Sequence, residues 1–375
     1  NKEEQAALLK DSDQFKLIQF HPSYSYEDFV RGIEVKTENG QPEYITRNKV
    51  LGEFALSALK NIEDSEKDPV KLTQERSFEN KLDQFKDLVR DVISEKSEYP
   101  IGSTTARIIE VTDTSFKYNY EGNRTIYFNL LFSDLIKMHN SEKSFKNVKD
   151  VNDYGLAMKG KGSYYFPLYN SIKESEETTD ATVLQEKVLK KKYVLIIDEI
   201  NRANLPSVLG ELIYALEYRG EKVDSMYEVD GDNGLILPPN LYIIGTMNTA
   251  DRSVGQIDYA IRRRFAFIDV LPKVLSDEPD FDIELFKTVS KFFIENIEEY
   301  INDPEKTVLK RSEWLSDEFL PEDVWIGHSY FIMKNGNRDV RLDYEIKPIL
   351  KEYLKDGILK ENVNGEDTKN KIYNL

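Results

Sequence analysis

The sequence predicts an α/β fold: a parallel sheet core, an inserted α+β module and a helical C-terminal region. Three observations lead there. Residues 193–197 (YVLII), 241–246 (LYIIGT) and 265–270 (FAFIDV) are short apolar runs separated by helical signals, as parallel strands buried between helical layers should be. Residues 106–130 instead alternate and are rich in β-branched side chains. Residues 281–356 read as mostly helical.

Taken in order, 16–20 (KLIQF) predicts a short buried strand, followed by the loop HPSYSYEDFVRG. Residues 50–62 predict a helix, and the charged run to Lys71 a surface linker. Residues 78–94 place Leu82, Phe85, Leu88, Val89 and Val92 at helical spacing. Turn signals at Asp113 and at 121–123 divide 106–130 into three short strands, and further helices are expected over 131–139 and 164–173. After the first core run, 205–220 (LPSVLGELIYALEYRG) predicts one helix closed by Gly220 as C-cap. Residues 257–263 predict a short helix, and WIGHSYF (325–331) a kink whose role the sequence leaves open. The domain organisation expected is 1–74 as the first part of the core, 75–185 as the insert, 186–272 as the rest of the core and 273–375 as a helical domain.

Composition narrows the function. The 375 residues include 40% hydrophobic and 32% charged side chains, which suits a globular protein with a core. No run approaches the roughly eighteen apolar residues of a membrane span, and the opening NKEEQAALLKDSD is too polar for a secretory signal. Cysteine is absent, which excludes disulfides, thiolate metal sites and a cysteine nucleophile, and fits a reducing cytoplasm. With 51 basic against 68 acidic residues the net charge is −17, so DNA contact is expected to be local rather than spread over a basic surface. Three histidines, His21, His139 and His328, make a multi-histidine metal site an unpromising reading.

Asp198 and Glu199 follow the run 193–197 directly, and the C-terminal ends of parallel strands are where ligands bind. Adjacent acids there are costly unless a cation or substrate compensates them. In phosphoryl transfer the first holds Mg²⁺ and the second polarises the attacking water. Alone, the pair reads equally well as a strand ending in a charged turn. Its flanks carry more information: IIDEINRAN, TMNTADRS and DYAIRRRF occur in that order, separated by elements of the right type.

With QFHPSYSYEDFVRG near the start and LPEDVWIGHSYF and YEIKPILKEYL near the end, these motifs make the sequence resemble the McrB-type AAA+ GTPases, motor subunits of modification-dependent restriction systems. The resemblance covers the AAA+ parts and leaves the insert unexplained. It implies an AAA+ P-loop-NTPase-like parallel sheet core, with 273–375 as the helical lid. It implies Asp198 as Mg²⁺ ligand, Glu199 as catalytic base, Asn248 as the amide that orients water beside the γ-phosphate, and Asp251 as a residue that fixes that loop or the water. An amide suits that task because it donates and accepts at once; without the resemblance, 248–251 reads as an Asx-type turn. Arg263 and Arg264 take the position of the arginine finger, a fixed and always ionised donor for a neighbour's nucleotide. Arg262 is expected to be structural or interfacial. Asn201 and Arg202 are expected at the subunit interface, with helix capping and surface pairing as the alternative. Tyr24 and Tyr26 either touch DNA or a partner in the ring channel, or pack against the sheet edge, the reading favoured here.

The phosphate cradle GxxxxGK followed by Ser or Thr does not occur. Its near match, Gly155 to Gly162, carries Gly162 where the Mg²⁺-binding hydroxyl belongs, does not follow a buried strand, and lies after QFHPSYSYEDF rather than before it. Because the chain opens on Asn, the segment is expected upstream, and the 375 residues alone are expected to bind nucleotide weakly. The function implied is a nucleoside-triphosphatase motor, GTP favoured over ATP, Mg²⁺-dependent and assembled as a ring, a hexamer by resemblance. It would drive DNA translocation and activate a separate McrC-like nuclease, since no PD…ExK signature stands out in this chain. A MoxR-like ATP-dependent protein remodeller and a non-catalytic ring scaffold are the rival readings.

Overall fold

Three strands, β1 (Phe15–Gln19), β8 (Tyr193–Asp198) and β11 (Leu241–Gly245), form a sheet in the order β1-β8-β11. The computed structural model describes residues 12–38, 41–120, 123–141, 143–155, 158–175, 187–229, 231–249, 257–333 and 337–375. Hydrogen bonds from Val194 N–H to the Gln14 carbonyl (2.8 Å) and from Phe20 N–H to the Asp198 carbonyl (2.9 Å) run in the same sense along β1 and β8. Tyr193 to Asn240 (2.8 Å) and Thr246 to Ile197 (3.0 Å) do the same for β8 and β11, so both pairings are parallel. The apolar run of β8 was expected to be buried on both faces. It alternates instead: Tyr193, Leu195 and Ile197 are buried, while Val194 and Ile196 are only half-buried.

The expected strand at 265–270 does not form. Strand backbone needs a partner for its N–H and C=O groups, and no described strand pairs with these residues. Phe267, Ile268 and Val270 are exposed by 41%, 84% and 88%. The expected helix 205–220 is two, Leu205–Leu209 and Leu212–Glu217, because Gly210 sits at φ +49, outside helical space. A Cβ at Gly210 would also stand 3.2 Å from the Tyr26 ring, so the break doubles as a close approach.

The chain divides into two compact units. One contains Asn1–Lys16, Glu27–Val194 and Tyr214–Tyr242. Here the charged linker expected before Lys71 shrinks to a two-residue break between helices Val50–Glu66 and Pro69–Lys96. Asp68 caps the second helix by accepting from Val70 N–H (2.9 Å), and Pro69 takes the first-turn position where its missing N–H costs nothing. The charges are partly buried pairs rather than a solvated run: Lys67 meets Glu75 at 2.5 Å, and Arg76 meets Asp64 at 3.1 Å. Next come β4 (Tyr99–Pro100), β5 (Ala106–Val111), β6 (Ser115–Tyr120) and β7 (Asn123–Leu131), an antiparallel sheet in sequential order. Its inner face packs Ile108, Phe116 and Leu130 against Phe78, Leu82 and Phe85 of the helix Pro69–Lys96. Leu88, expected on that buried face, is 50% exposed.

Two antiparallel hairpins of this unit had no sequence expectation. They are β2 (Arg31–Glu38) with β3 (Gln41–Asn48), and β9 (Lys222–Val229) with β10 (Asp232–Ile236). The buried Arg31 guanidinium links them, donating to Asn48 Oδ1 (2.9 Å) and to the carbonyls of Tyr227 (3.0 Å) and Gly234 (2.6 Å). Spread over several acceptors, the buried charge keeps its hydrogen bonds.

The other unit contains Leu17–Tyr26, Leu195–Ile213 and Ile243–Leu375. Its C-terminal part, expected to be mostly helical, consists of short helices joined by long loops and packs around Phe286, Phe293, Phe331 and Trp325. The WIGHSYF segment supplies part of that core. Trp325 is 7% exposed and donates from its indole to Ser290 Oγ (3.0 Å), and Phe331 is fully buried. No helix among the described residues is long and apolar enough to cross a membrane.

Candidate active site

The site is built at the C-terminal ends of β8 and β11. Asp198 is the last residue of β8, and Glu199 turns the chain out of the sheet with φ 54 and ψ 45. That left-handed conformation is uncommon for a residue with a Cβ and costs roughly 1–2 kcal/mol. It is held by the neighbouring strand. Thr246 N–H donates to the Ile197 carbonyl (3.0 Å), and Ile200 N–H donates to the Thr246 carbonyl (2.9 Å). Gly245 allows the approach, since a Cβ there would meet the Ile200 side chain at 2.9 Å.

The side chains converge on the same spot. Asn248 Nδ2 donates to Glu199 Oε1 at 3.3 Å. Arg202 Nε stands 3.1 Å from Glu199 Oε2, an ion pair without the alignment of a hydrogen bond. Thr246 Oγ1 donates to Asp198 Oδ1 at 2.5 Å and accepts from Glu199 N–H at 3.3 Å. Asn201 is only 8% exposed, and its Nδ2 donates to the Asn248 carbonyl at 3.2 Å. Expected at a subunit interface, Asn201 is thus turned inward onto the Asn248 loop. Arg202, expected there too, reaches Glu199. Neither caps the next helix; Asn204 does, accepting from Ser207 N–H.

Asp198, Glu199 and Asn248 are therefore brought together, with Thr246, Asn201 and Arg202 around them. Sequence reasoning missed Thr246. Its only signal was a hydroxyl residue at the end of the strand beside the acids. Asp251 lies outside the described residues. Arg262 and Arg263 lie on the surface at the end of the short helix Tyr259–Arg262, with the Arg262 guanidinium 4.9 Å from the Phe267 ring centroid. Arg264 is half-buried and its Nη1 donates to the Ala260 carbonyl. Tyr24 stacks on Phe20 at 4.8 Å, and the buried Tyr26 donates its hydroxyl to the Glu211 carboxylate, so both rings pack within the protein.

The glycine-rich segment near 160 is no phosphate cradle. The N–H groups of Gly160 and Gly162 already donate to Asn152 Oδ1 (3.0 and 2.9 Å), and Lys161 Nζ donates to the Asn129 carbonyl. A helix, Val148–Asn152, precedes it, not a strand.

The family model of the AAA domain, dynein-related subfamily, matches residues 166–265. The EcoKMcrB subunit of the type IV methyl-directed restriction enzyme of Escherichia coli (strain K12) is 33% identical over 243 residues, 61% of this chain and 48% of that protein. Over that stretch the chain is similar to an McrB-type AAA+ protein. A second similarity is to the YdiS component of the type II restriction enzyme BsuMI of Bacillus subtilis (strain 168), 38% identical over 98 residues, 22% of this chain and 28% of that one. The chain thus spans about half the length of the first relative and about a quarter of the second. The AAA domain places it in the P-loop NTPase α/β fold, in keeping with the parallel sheet.

Chemically, the donor set suits a hard cation shared with phosphate. Among the described residues no three His, Cys, Asp or Glu side chains cluster to cage a metal ion. Mg²⁺ needs no cage, taking one or two carboxylates and filling its octahedron with phosphate and water oxygens. The strain at Glu199 gives a stability prediction. Replacing it with Gly relieves the left-handed conformation, offset by roughly 0.5–1 kcal/mol of chain entropy. The lost ion pair is worth little because Arg202 is 42% exposed. Glu199→Gly is expected to gain up to about 1 kcal/mol, read as a higher thermal midpoint; a clear fall would show that the Glu199 contacts outweigh its backbone strain.

Proposed function

We propose that the full-length protein is an AAA+ nucleoside-triphosphatase motor, GTP favoured, that drives DNA translocation and activates a partner nuclease in DNA restriction. The observation that carries this reading is the side-chain bond between Asn248 and Glu199 across two adjacent parallel strands, with Asp198 at the same strand end. Asp198 would hold Mg²⁺, whose charge would neutralise the phosphate oxygens. Glu199, within hydrogen-bond reach of an amide that can also bind water, is the group to take the proton of the attacking water. Arg263 and Arg264, with Arg263 on the exposed surface, would serve a neighbouring subunit in a ring, a hexamer by family likeness. The match to a restriction-enzyme McrB subunit supports a McrC-like nuclease and DNA as partners, and the setting would be the cytoplasm. The 375 residues contain no GxxxxGK[ST] segment, so on this reading they bind nucleotide weakly by themselves.

The test compares GTP and ATP hydrolysis by the full-length protein, with and without DNA and a McrC-like subunit. The expected result is faster GTP turnover that rises with both additions. ATP preference with no response to DNA would replace this reading with an ATP-dependent protein remodeller, and no hydrolysis at all with a scaffold.

A further inference from the structure

We propose that Thr246 is a positioning residue for the metal-binding carboxylate, so that affinity for Mg²⁺-bound nucleotide depends on a hydroxyl that need touch neither metal nor nucleotide. This rests on the reading of Asp198 as the Mg²⁺ ligand.

Thr246 is fixed from both sides by main-chain bonds to Ile197 and Ile200, so its side chain has little freedom to move away from β8. A hydroxyl carries one proton and two lone pairs. Here the proton goes to Asp198 Oδ1 (2.5 Å), and a lone pair receives the Glu199 N–H (3.3 Å). One side chain thus fixes the carboxylate of the first acid and the main chain of the second. Asp198 and Thr246 are not buried, so packing alone would leave the carboxylate free to rotate. A hard cation that accepts only narrow octahedral geometry gains from a ligand already oriented. With Oδ1 committed to Thr246, the remaining oxygen keeps its lone pairs for a cation. Removing an outer partner of this kind typically costs about 10–100-fold in metal affinity.

The test measures binding of a fluorescent guanine nucleotide to the full-length protein as Mg²⁺ is titrated, and again in chelator without Mg²⁺. Thr246→Val keeps the shape and loses the proton; Thr246→Ser keeps the proton. Thr246→Val is expected to raise the half-saturating Mg²⁺ about 10-fold or more, with Mg²⁺-free binding and thermal midpoint unchanged, and Thr246→Ser to restore the parent curve. Asp198→Asn serves as the reference. If Asp198→Asn shifts the curve and Thr246→Val does not, this inference fails while the metal-ligand reading stands. If Asp198→Asn itself leaves the curve in place, the metal-ligand reading fails first. Equal damage from Val and Ser, or parallel loss of Mg²⁺-free binding, would reduce Thr246 to a structural residue and overturn the proposal.

Discussion

Glu199→Gln is expected to lower turnover of the full-length protein by about 10²–10⁴-fold, the span that general-base removal commonly covers, while nucleotide affinity stays close to that of the parent. The substitution is nearly isosteric. Its amide oxygen can still accept from Asn248 Nδ2, which now lies 3.3 Å from Glu199 Oε1. The left-handed backbone at 199 is unaltered, so the loop that carries the side chain keeps its bonds to Thr246. What disappears is the ability to take a proton from water. Arg202 loses its partner, but at 42% exposure it is solvated and costs little. Single-turnover hydrolysis, measured beside equilibrium binding, separates the two effects. A turnover rate equal to that of the parent would remove Glu199 from the chemistry.

The second large effect is expected at Arg263. Of three consecutive arginines, Arg263 is exposed at the helix end and takes an arginine-finger position in the family resemblance. An arginine donated across a subunit boundary to a transferring phosphoryl group is worth about 10³–10⁵-fold in turnover. Arg263→Ala should therefore be nearly inactive yet bind nucleotide and assemble. The decisive measurement mixes it with Glu199→Gln. In a mixed ring some boundaries pair an intact Glu199 with an intact Arg263, so activity should reappear although each variant alone is dead. If mixing restores nothing, while both variants assemble, the arginine does not act across a boundary.

Much of the site could be read from the sequence because its chemistry is local. An apolar run followed by Asp198 and Glu199 announces a strand end, and MNTADRS announces the next. The bond that joins them could not be read, because Thr246 and Asp198 are 48 residues apart and become neighbours only through strand order. The same limit explains the missed hairpins. In β2 and β3 the cross-strand pair Val35 and Tyr44 lies on a face with Ile33, and these side chains are exposed by 61%, 71% and 53%. Apolar alternation there marks no buried face, so the pattern carried no core signal. The continuous run of β8 misled in the opposite way: apolar content implied two buried faces, and the fold buries one. At 205–220, helical periodicity ran unbroken through Gly210, where main-chain conformation decides and hydrophobic spacing is blind. WIGHSYF could not be ranked because Trp325 finds its partner, Ser290, 35 positions upstream.

On the proposed reading of Glu199 as the base, the conformation at position 199 sets hydrolysis and robustness against each other. A chain drifting under selection for durability alone would find glycine an improvement there, and would become a sturdier protein with no means of turning over nucleotide. On that reading a bulky acid at so unfavourable a backbone position is a cost borne for the chemistry, and a relative carrying glycine there would be the one to suspect of having become a passive member of its assembly.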